Sequence, residues 1–318
     1  MAKKGSKALE TAVASIVPPL IEKLKQGIDH FTPRQRGLAE FILQNPESLA
    51  FLTITDLAKK VGVSEATVTR FCGTLGYDGF AHLCREVQET IQSELSTVGR
   101  FQLVRTMGRH SVETQSPSAF ERVLSTEIDN LINLTRTIRT VDFYRCVDLM
   151  GESDRICIMG SMASTCLANY FGYMLGKIFP GVDVLHGHGG KASTVCNRLS
   201  QDSLVFLIAF PRYPKITVEL GQLAVQKGAK IIGITNSPVS PVVPLATMTF
   251  LIPIGIISFV DAYAAPIAFL NALVTEFSER NPDATQQSLN LFDEYVSRQG
   301  LFIKSSAKNP GKRSELPE

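Results

Sequence analysis

The spacing of apolar residues changes part-way along the chain. Between residues 18 and 97 apolar positions recur three and four apart, which marks one buried face on successive short helices. Thr32 before Pro33 supplies an N-cap and a proline at the first helical position, and Leu38, Phe41 and Ile42 continue that face until Asn45-Pro46 stops it. A second helix is expected from about Thr55, with Leu57, Ala58 and Val61 on one side. Gly62 then turns the chain, and Ser64 can cap a third helix. The run "YDGFAHLCREVQETIQSEL" continues as a longer amphipathic helix.

Residues 98–118, "VGRFQLVRTMGRHSVETQSPS", lose this period and gain Gly, Ser and Pro, so they are expected to form a linker between domains. Helical spacing resumes in an arm over 119–144. From about residue 154, apolar runs ("RICIM", "VDVL", "LVFLIAF", "KIIGIT", "TMTFLI") alternate with helical segments. Continuous apolar strands separated by helices predict a parallel sheet covered on both faces, and right-handed crossovers make it doubly wound. The expected architecture is an all-α N-terminal domain over 18–97 joined to an α/β domain over 145–285, with a C-terminal helix and tail over 286–318. Residues 242–260, "VVPLATMTFLIPIGIISFV", are uncharged and long enough to span a bilayer. Pro244, Pro253 and Gly255 interrupt them, which predicts a buried strand and then a buried helix instead.

A length of 318 residues with 44% hydrophobic positions can bury two cores. The formal charge of +2 includes no long basic block, so bulk electrostatics alone does not announce a nucleic-acid partner. The six cysteines (72, 84, 146, 157, 166 and 196) form no CxxC pair and are expected as buried free thiols in a reducing cytosol. The N-terminal "MAKKGSKALETAVAS" lacks the apolar core of a signal peptide, which again predicts a cytoplasmic protein without a membrane association.

Chemistry first shows in "VGVSEATVTRF". On a helical wheel Val68, Phe71, Cys72 and Leu75 share the inward face, while Ala66, Arg70 and Gly73 point away with Thr67 and Thr69 beside them. A short polar face around one arginine can enter a major groove, and a helix, a glycine turn and a capped second helix together make a helix-turn-helix. A helical hairpin of an interaction domain has the same local spacing. Residues 31–80, "FTPRQRGLAEFILQNPESLAFLTITDLAKKVGVSEATVTRFCGTLGYDGF", closely resemble the N-terminal domain of RpiR-type transcriptional regulators. The resemblance implies that Thr55–Val61 supports and Ser64–Leu75 reads double-stranded operator DNA, with Ser64, Glu65, Ala66, Thr67, Thr69, Arg70 and Gly73 at the contact. It also implies basic residues after "RFC", where this chain has Gly73 and Thr74.

RpiR-type regulators pair this head with a sugar-isomerase (SIS) domain, and residues 145–285 resemble one. Three loops lie where open α/β sheets bind ligands, beyond the carboxyl ends of the strands. In "GSMAST", Gly160, Ser161 and Ser164 are candidate effector contacts, and Met162 replaces the glycine that SIS domains resemble at this place. In "AFPRYPK", the hydroxyl-rich phosphate cradle of SIS domains is missing. Pro211 and Pro214 remove two backbone donors there, leaving Arg212 and Lys215 as cations. In "HGHGGK", His186, His188 and Lys191 are candidate ligand contacts. No third metal ligand stands at recognisable spacing, so no metal is expected. Asp261 is expected at the start of an apolar helix, as a cap or a pocket residue.

The combined expectation is a regulator of a metabolic operon, controlled by a small anionic effector: a sugar phosphate or a carboxylate-type metabolite. No cofactor is implied. The SIS resemblance implies a homodimer or homotetramer, with the apolar helix after residue 258 as a candidate surface. The alternative is a SIS-type isomerase, which needs a base. Glu219 and Glu276 fall inside helices, and the histidines have no defined partner.

Overall fold

In the computed structural model, residues 18–50, 52–94, 96–108, 118–255 and 257–303 are described. Five helices form the head: α1 (Pro18–Gly27), α2 (Pro33–Gln44), α3 (Ile54–Val61), α4 (Glu65–Thr74) and α5 (Phe80–Glu94). The starts of α2, α3 and α4 follow from side-chain caps. Thr32 and Gln35 cap α2 reciprocally, and Thr53 with Asp56 does the same for α3. Gly62 ends α3 at φ +74°, a left-handed conformation that costs glycine least, and so fixes the turn into α4. The inward faces meet in one apolar core containing Leu20, Leu38, Ile42, Leu57, Val68, Phe71 and Leu83. Phe31 meets Phe71 edge-on with centroids 5.2 Å apart, a favoured aromatic geometry.

The expected linker is helical over its first half. α6 runs Thr97–Gly108, with Ser96 Oγ accepting the Gly99 N–H at 3.1 Å. Among residues 97–102 of this helix, Gly99 and Arg100 are buried, so the burial described there belongs to a glycine and a cation and not to an apolar residue. The rest of that linker, 109–117, lies outside the described residues. Two helices follow, α7 (Ala119–Thr137) and α8 (Thr140–Glu152).

The second unit alternates β1 (Arg155–Gly160), α9 (Thr165–Leu175), β2 (Val182–Leu185), α10 (Gly190–Asn197), β3 (Ser203–Ile208), α11 (Lys215–Gln226), β4 (Lys230–Thr235) and β5 (Met248–Leu251). It closes with α12 (Ala264–Arg280) and α13 (Pro282–Gln299), so residue 285 lies in the first turn of α13. The five strands pair in parallel in the order β2-β1-β3-β4-β5. Alternate residues of each strand serve opposite faces. Ile156, Ile158, Phe206 and Ile232 face one core with Phe171 and Phe269, while Cys157, Met159, Val205 and Leu207 face the other with Val195 and Leu220. The chain leaves β1 for β2 on one side and then crosses to β3 on the other, so the crevice of this topology opens between β1 and β3.

Four expectations change. The apolar stretch 242–260 contains β5, but the helix expected after it begins at Ala264, because Pro253 and Gly255 keep the intervening chain irregular. At Gly255 a Cβ would collide with Thr126 of α7, so the backbone there passes too close for any side chain. Asp261 therefore precedes the helix, and Tyr263 occupies its N-cap. Most large apolar residues of α12, including Phe269, Leu270 and Leu273, are buried within the chain's own core with Ile267 left exposed, whereas α7 exposes Phe120, Leu124, Ile128 and Ile132. All six cysteines are free, but Cys166, near the start of α9, is exposed. Burial pushes the thiols of Cys72 and Cys84 up to about 11 and about 12, which leaves them protonated at neutral pH. Among the described residues, no helix is long and apolar enough to cross a membrane.

Candidate functional site

The exposed face of α4 is built by its own N-terminus. Ser64 Oγ accepts the Thr67 N–H at 3.2 Å and also lies 2.9 Å from Thr67 Oγ1. This capping draws Thr67 inward to 7% exposure, so it does not share the outer face as its spacing suggested. Ser64, Glu65, Ala66, Thr69, Arg70 and Gly73 are exposed. Glu65 accepts a 2.6 Å hydrogen bond from Thr55 Oγ1, which holds α4 against α3. Arg70 Nε donates to the Ala66 carbonyl at 3.2 Å, laying the side chain back along the helix. A Cβ added at Gly73 would meet nothing within 4 Å, so no close approach inside the chain requires glycine there. Arg34, Arg36, Lys59 and Lys60 are further exposed cations on the neighbouring α2 and α3, and the wheel of α4 could not reveal them.

In the second unit the β1 loop passes through a 3₁₀ turn, Met162–Ser164. Met162 has φ +54°, a left-handed conformation strained for a side-chain-bearing residue, and its side chain is 79% exposed. The loop thus keeps a glycine-like backbone, and the thioether points outward instead of filling the space beneath it. At Gly160 a Cβ would sit 3.0 Å from the Ser164 carbonyl oxygen, which explains why that position carries none. Ser161 Oγ–H donates to the His186 carbonyl at 2.6 Å, and His186 Nδ1 lies 2.9 Å from the Gly160 carbonyl oxygen. The β1 and β2 loops are therefore stitched together.

Two hollows result. One of about 230 Å³ lies at the β1/β3 crevice, where Ser161, Ser164 and Arg212 meet Asp261, Tyr263 and, from α6, Thr97 and Arg100. The other, about 370 Å³, is more open and follows the β2 loop, with His186, His188 and Lys191 on its wall. The smaller is the better candidate, because it lies at the topological crossover and holds buried charge. The expected effector residues thus divide between two places. Lys215 joins neither: it is 89% exposed and lies 3.4 Å from Glu219, whose other carboxylate oxygen is 2.9 Å from His188 Nε2. The hydrogen bond to His188, with Lys215 beside it, holds the Glu219 carboxyl below its ordinary range. In the crevice, burial and then the charge of Asp261 push the Tyr263 hydroxyl well above the usual phenol range, so it remains a neutral hydrogen-bonding group.

Residues 19–94 match the helix-turn-helix domain of the rpiR family, and residues 149–276 match the SIS domain. This chain joins an RpiR-family helix-turn-helix domain to a SIS domain. Its relatives include the HTH-type transcriptional regulator HexR of Pseudomonas aeruginosa, 28% identical over 74% of this chain and 79% of that protein. HexR of Escherichia coli is 25% identical over 82% of this chain and 88% of that protein. The bifunctional protein glk of Paraburkholderia xenovorans is 26% identical over 69% of this chain but 33% of its own length. Among solved structures, NanR of Vibrio vulnificus complexed with ManNAc-6P has a TM-score of 0.53 at 22% identity, covering 88% of this chain and 98% of that one. The sugar isomerase domain of an RpiR transcription factor from Sphaerobacter thermophilus has a TM-score of 0.52 at 21% identity, over 54% of this chain and 97% of that one. At these identities the structures share the fold. In the RpiR head α3, the Gly62 turn and α4 are the candidate reading motif, and in the SIS domain the 230 Å³ crevice is the candidate effector site. Arg100 and Tyr263 escaped the sequence reading. Arg100 stands in a segment without apolar period, and its partner Asp261 is 161 residues away.

Proposed function

We propose that this RpiR-type transcriptional regulator binds operator DNA through the exposed face of α4 and responds to a small anionic metabolite in the β1/β3 crevice. The carrying observation is Arg70, exposed on a capped second helix whose other outward residues are short apart from Glu65, which is tied back to Thr55. Such a face can lie deep in a major groove, where an arginine pairs with guanine or phosphate. The effector part is supported by Arg100 and Arg212, which line one crevice with Ser161 and Ser164. Its small volume suits a compact anion, or the anionic head of a sugar derivative such as the one bound by the Vibrio NanR.

The isomerase alternative draws no support from the carboxylates. Glu219 is engaged by His188 and Lys215, Glu276 by Arg280 at 2.7 Å, and Asp261 in the crevice by Arg100. The test is selection of bound duplexes from a random-sequence pool by the full chain, followed by fluorescence anisotropy on the enriched sequence. Enrichment of a defined site, with affinity far above that for scrambled duplex, is expected. A pool that never converges would overturn the DNA-reading proposal.

A further inference from the structure

The helix that leaves the DNA-binding head also lines the effector crevice. α6 starts at Thr97, three positions after α5 ends at Glu94, and α5 supplies Leu83 and Val87 to the head's core. Among the described residues, side-chain contacts dock α6 onto the SIS domain. Arg100 Nη1 donates to Asp261 Oδ1 at 3.0 Å, Arg212 Nη2 donates to Thr97 Oγ1 at 3.1 Å, and Phe101 meets Phe259 edge-on at 6.1 Å.

The Arg100 side chain is 6% exposed, and its Nε has no hydrogen-bond partner among the described residues. A guanidinium carries five N–H donors in one plane, and leaving such a donor buried and unpaired is costly. This cation lines the crevice beside Arg212, whereas the acid present, Asp261, takes one of its N–H groups. Among the described lining residues, two guanidinium groups against one carboxylate leave the crevice net positive, with the Arg100 Nε–H still unpaired.

We propose that Arg100, presented by the interdomain helix, is an anion-binding residue of this crevice, and that an anion held between Arg100 and Arg212 clamps α6 onto the SIS domain. This rests on the crevice being the effector site. The ligand class is a small oxyanion, a phosphate or carboxylate group with several acceptor oxygens, because planar N–H forks are best matched by such groups. The coupling follows by linkage. The anion gains Arg100 when α6 is docked and loses it when α6 lifts, so it stabilises the docked arrangement of a helix that continues from the head. Asp261 has the opposite effect on affinity: it orients Arg100 but repels the incoming charge.

The chain contains no tryptophan, so Phe101→Trp places a unique fluorophore on α6. The full-length variant is titrated with inorganic phosphate and, separately, citrate, following indole emission, the thermal midpoint and operator binding in the same samples. Saturable blue-shifted emission with a raised midpoint is expected for at least one anion. In that background Arg100→Ala should weaken anion binding by at least about tenfold, the scale of a hydrogen bond to a charged group. Asp261→Asn should tighten it by about fivefold, since it removes a like charge but keeps an acceptor for Arg100. Arg100→Lys, which retains the charge but loses the planar fork, serves if the alanine variant does not fold, and should also weaken binding. A raised midpoint with unmoved emission, and unchanged affinity in the Arg100 variants, would overturn the clamp while leaving a SIS-domain effector site standing. If neither anion changes either signal, the clamp and the anionic-effector reading both fall, and operator binding reports separately on the DNA-reading head.

Discussion

Gln35 Nε2 donates a 3.2 Å hydrogen bond to Thr74 Oγ1, which joins the start of α2 to the end of α4. The contact sets Arg34 and Arg36, the exposed neighbours of Gln35, beside the segment where Gly73 and Thr74 replace the family's expected cations. We expect these arginines to contact phosphates from the adjoining helix. Arg34→Ala with Arg36→Ala should reduce the slope of log affinity against log salt by about 0.9 for each phosphate that is no longer neutralised. Conversely, Gly73→Arg enters open space and should steepen it by a similar amount. Thr74→Lys would also break the bond to Gln35, so Gly73→Arg is the cleaner substitution. Salt titrations of operator binding decide both; an unaltered slope in all variants removes α2 and the end of α4 from the DNA backbone.

Arg70 is the expected base-reading residue. Arg70→Ala should cost about 1–3 kcal/mol in operator binding, concentrated at one base position, whereas Thr69→Ala should cost less. Thr67→Ala should instead act through stability, because Thr67 is buried against Ser64. Anisotropy on the selected duplex, alongside urea unfolding of each variant, separates the two effects. Undiminished binding by a folded Arg70→Ala protein would displace α4 from the reading position.

Met162 carries a left-handed backbone with its side chain largely in solvent. Glycine would relieve a strain of about 1–2 kcal/mol, partly offset by its greater freedom in the unfolded chain. Met162→Gly should therefore raise stability by up to about 1 kcal/mol, and Met162→Ala, which keeps the strain, should not. Urea midpoints of the two variants provide the comparison. Equal midpoints would show that the loop relaxes when the thioether is removed.

We expect a homodimer. With α12 packed into its own core, the exposed Phe120, Leu124, Ile128 and Ile132 of α7 form the apolar stripe that a second copy would cover. Ile128→Asp should shift the protein toward monomer in sedimentation velocity at micromolar concentration and weaken binding to a pseudo-palindromic operator more than to one half-site. A parent protein that sediments as a monomer would refute this.

The sequence by itself determined every element whose cause is local. Thr32, Thr53 and Ser64 cap the head helices using N–H groups three residues away, and Gly62 turns the chain with its own φ. The apolar runs announced the five strands, because a parallel strand covered on both faces has little choice of composition. Tertiary structure alone decided the rest. Thr67 lies in the outward arc by wheel angle, yet its hydroxyl turns to Ser64. Thr97–Gly108 is helical and is held by the buried Arg100, a charged residue that a search for apolar periodicity does not count. Lys215 follows the β3 loop in sequence but finds Glu219 along its own helix, while Arg100, remote in sequence, reaches the crevice. A charge is placed by the acceptor that compensates its desolvation, and that acceptor can lie anywhere in the chain. Spacing along a sequence records which residues share a face, but the partner across the gap is set by the fold.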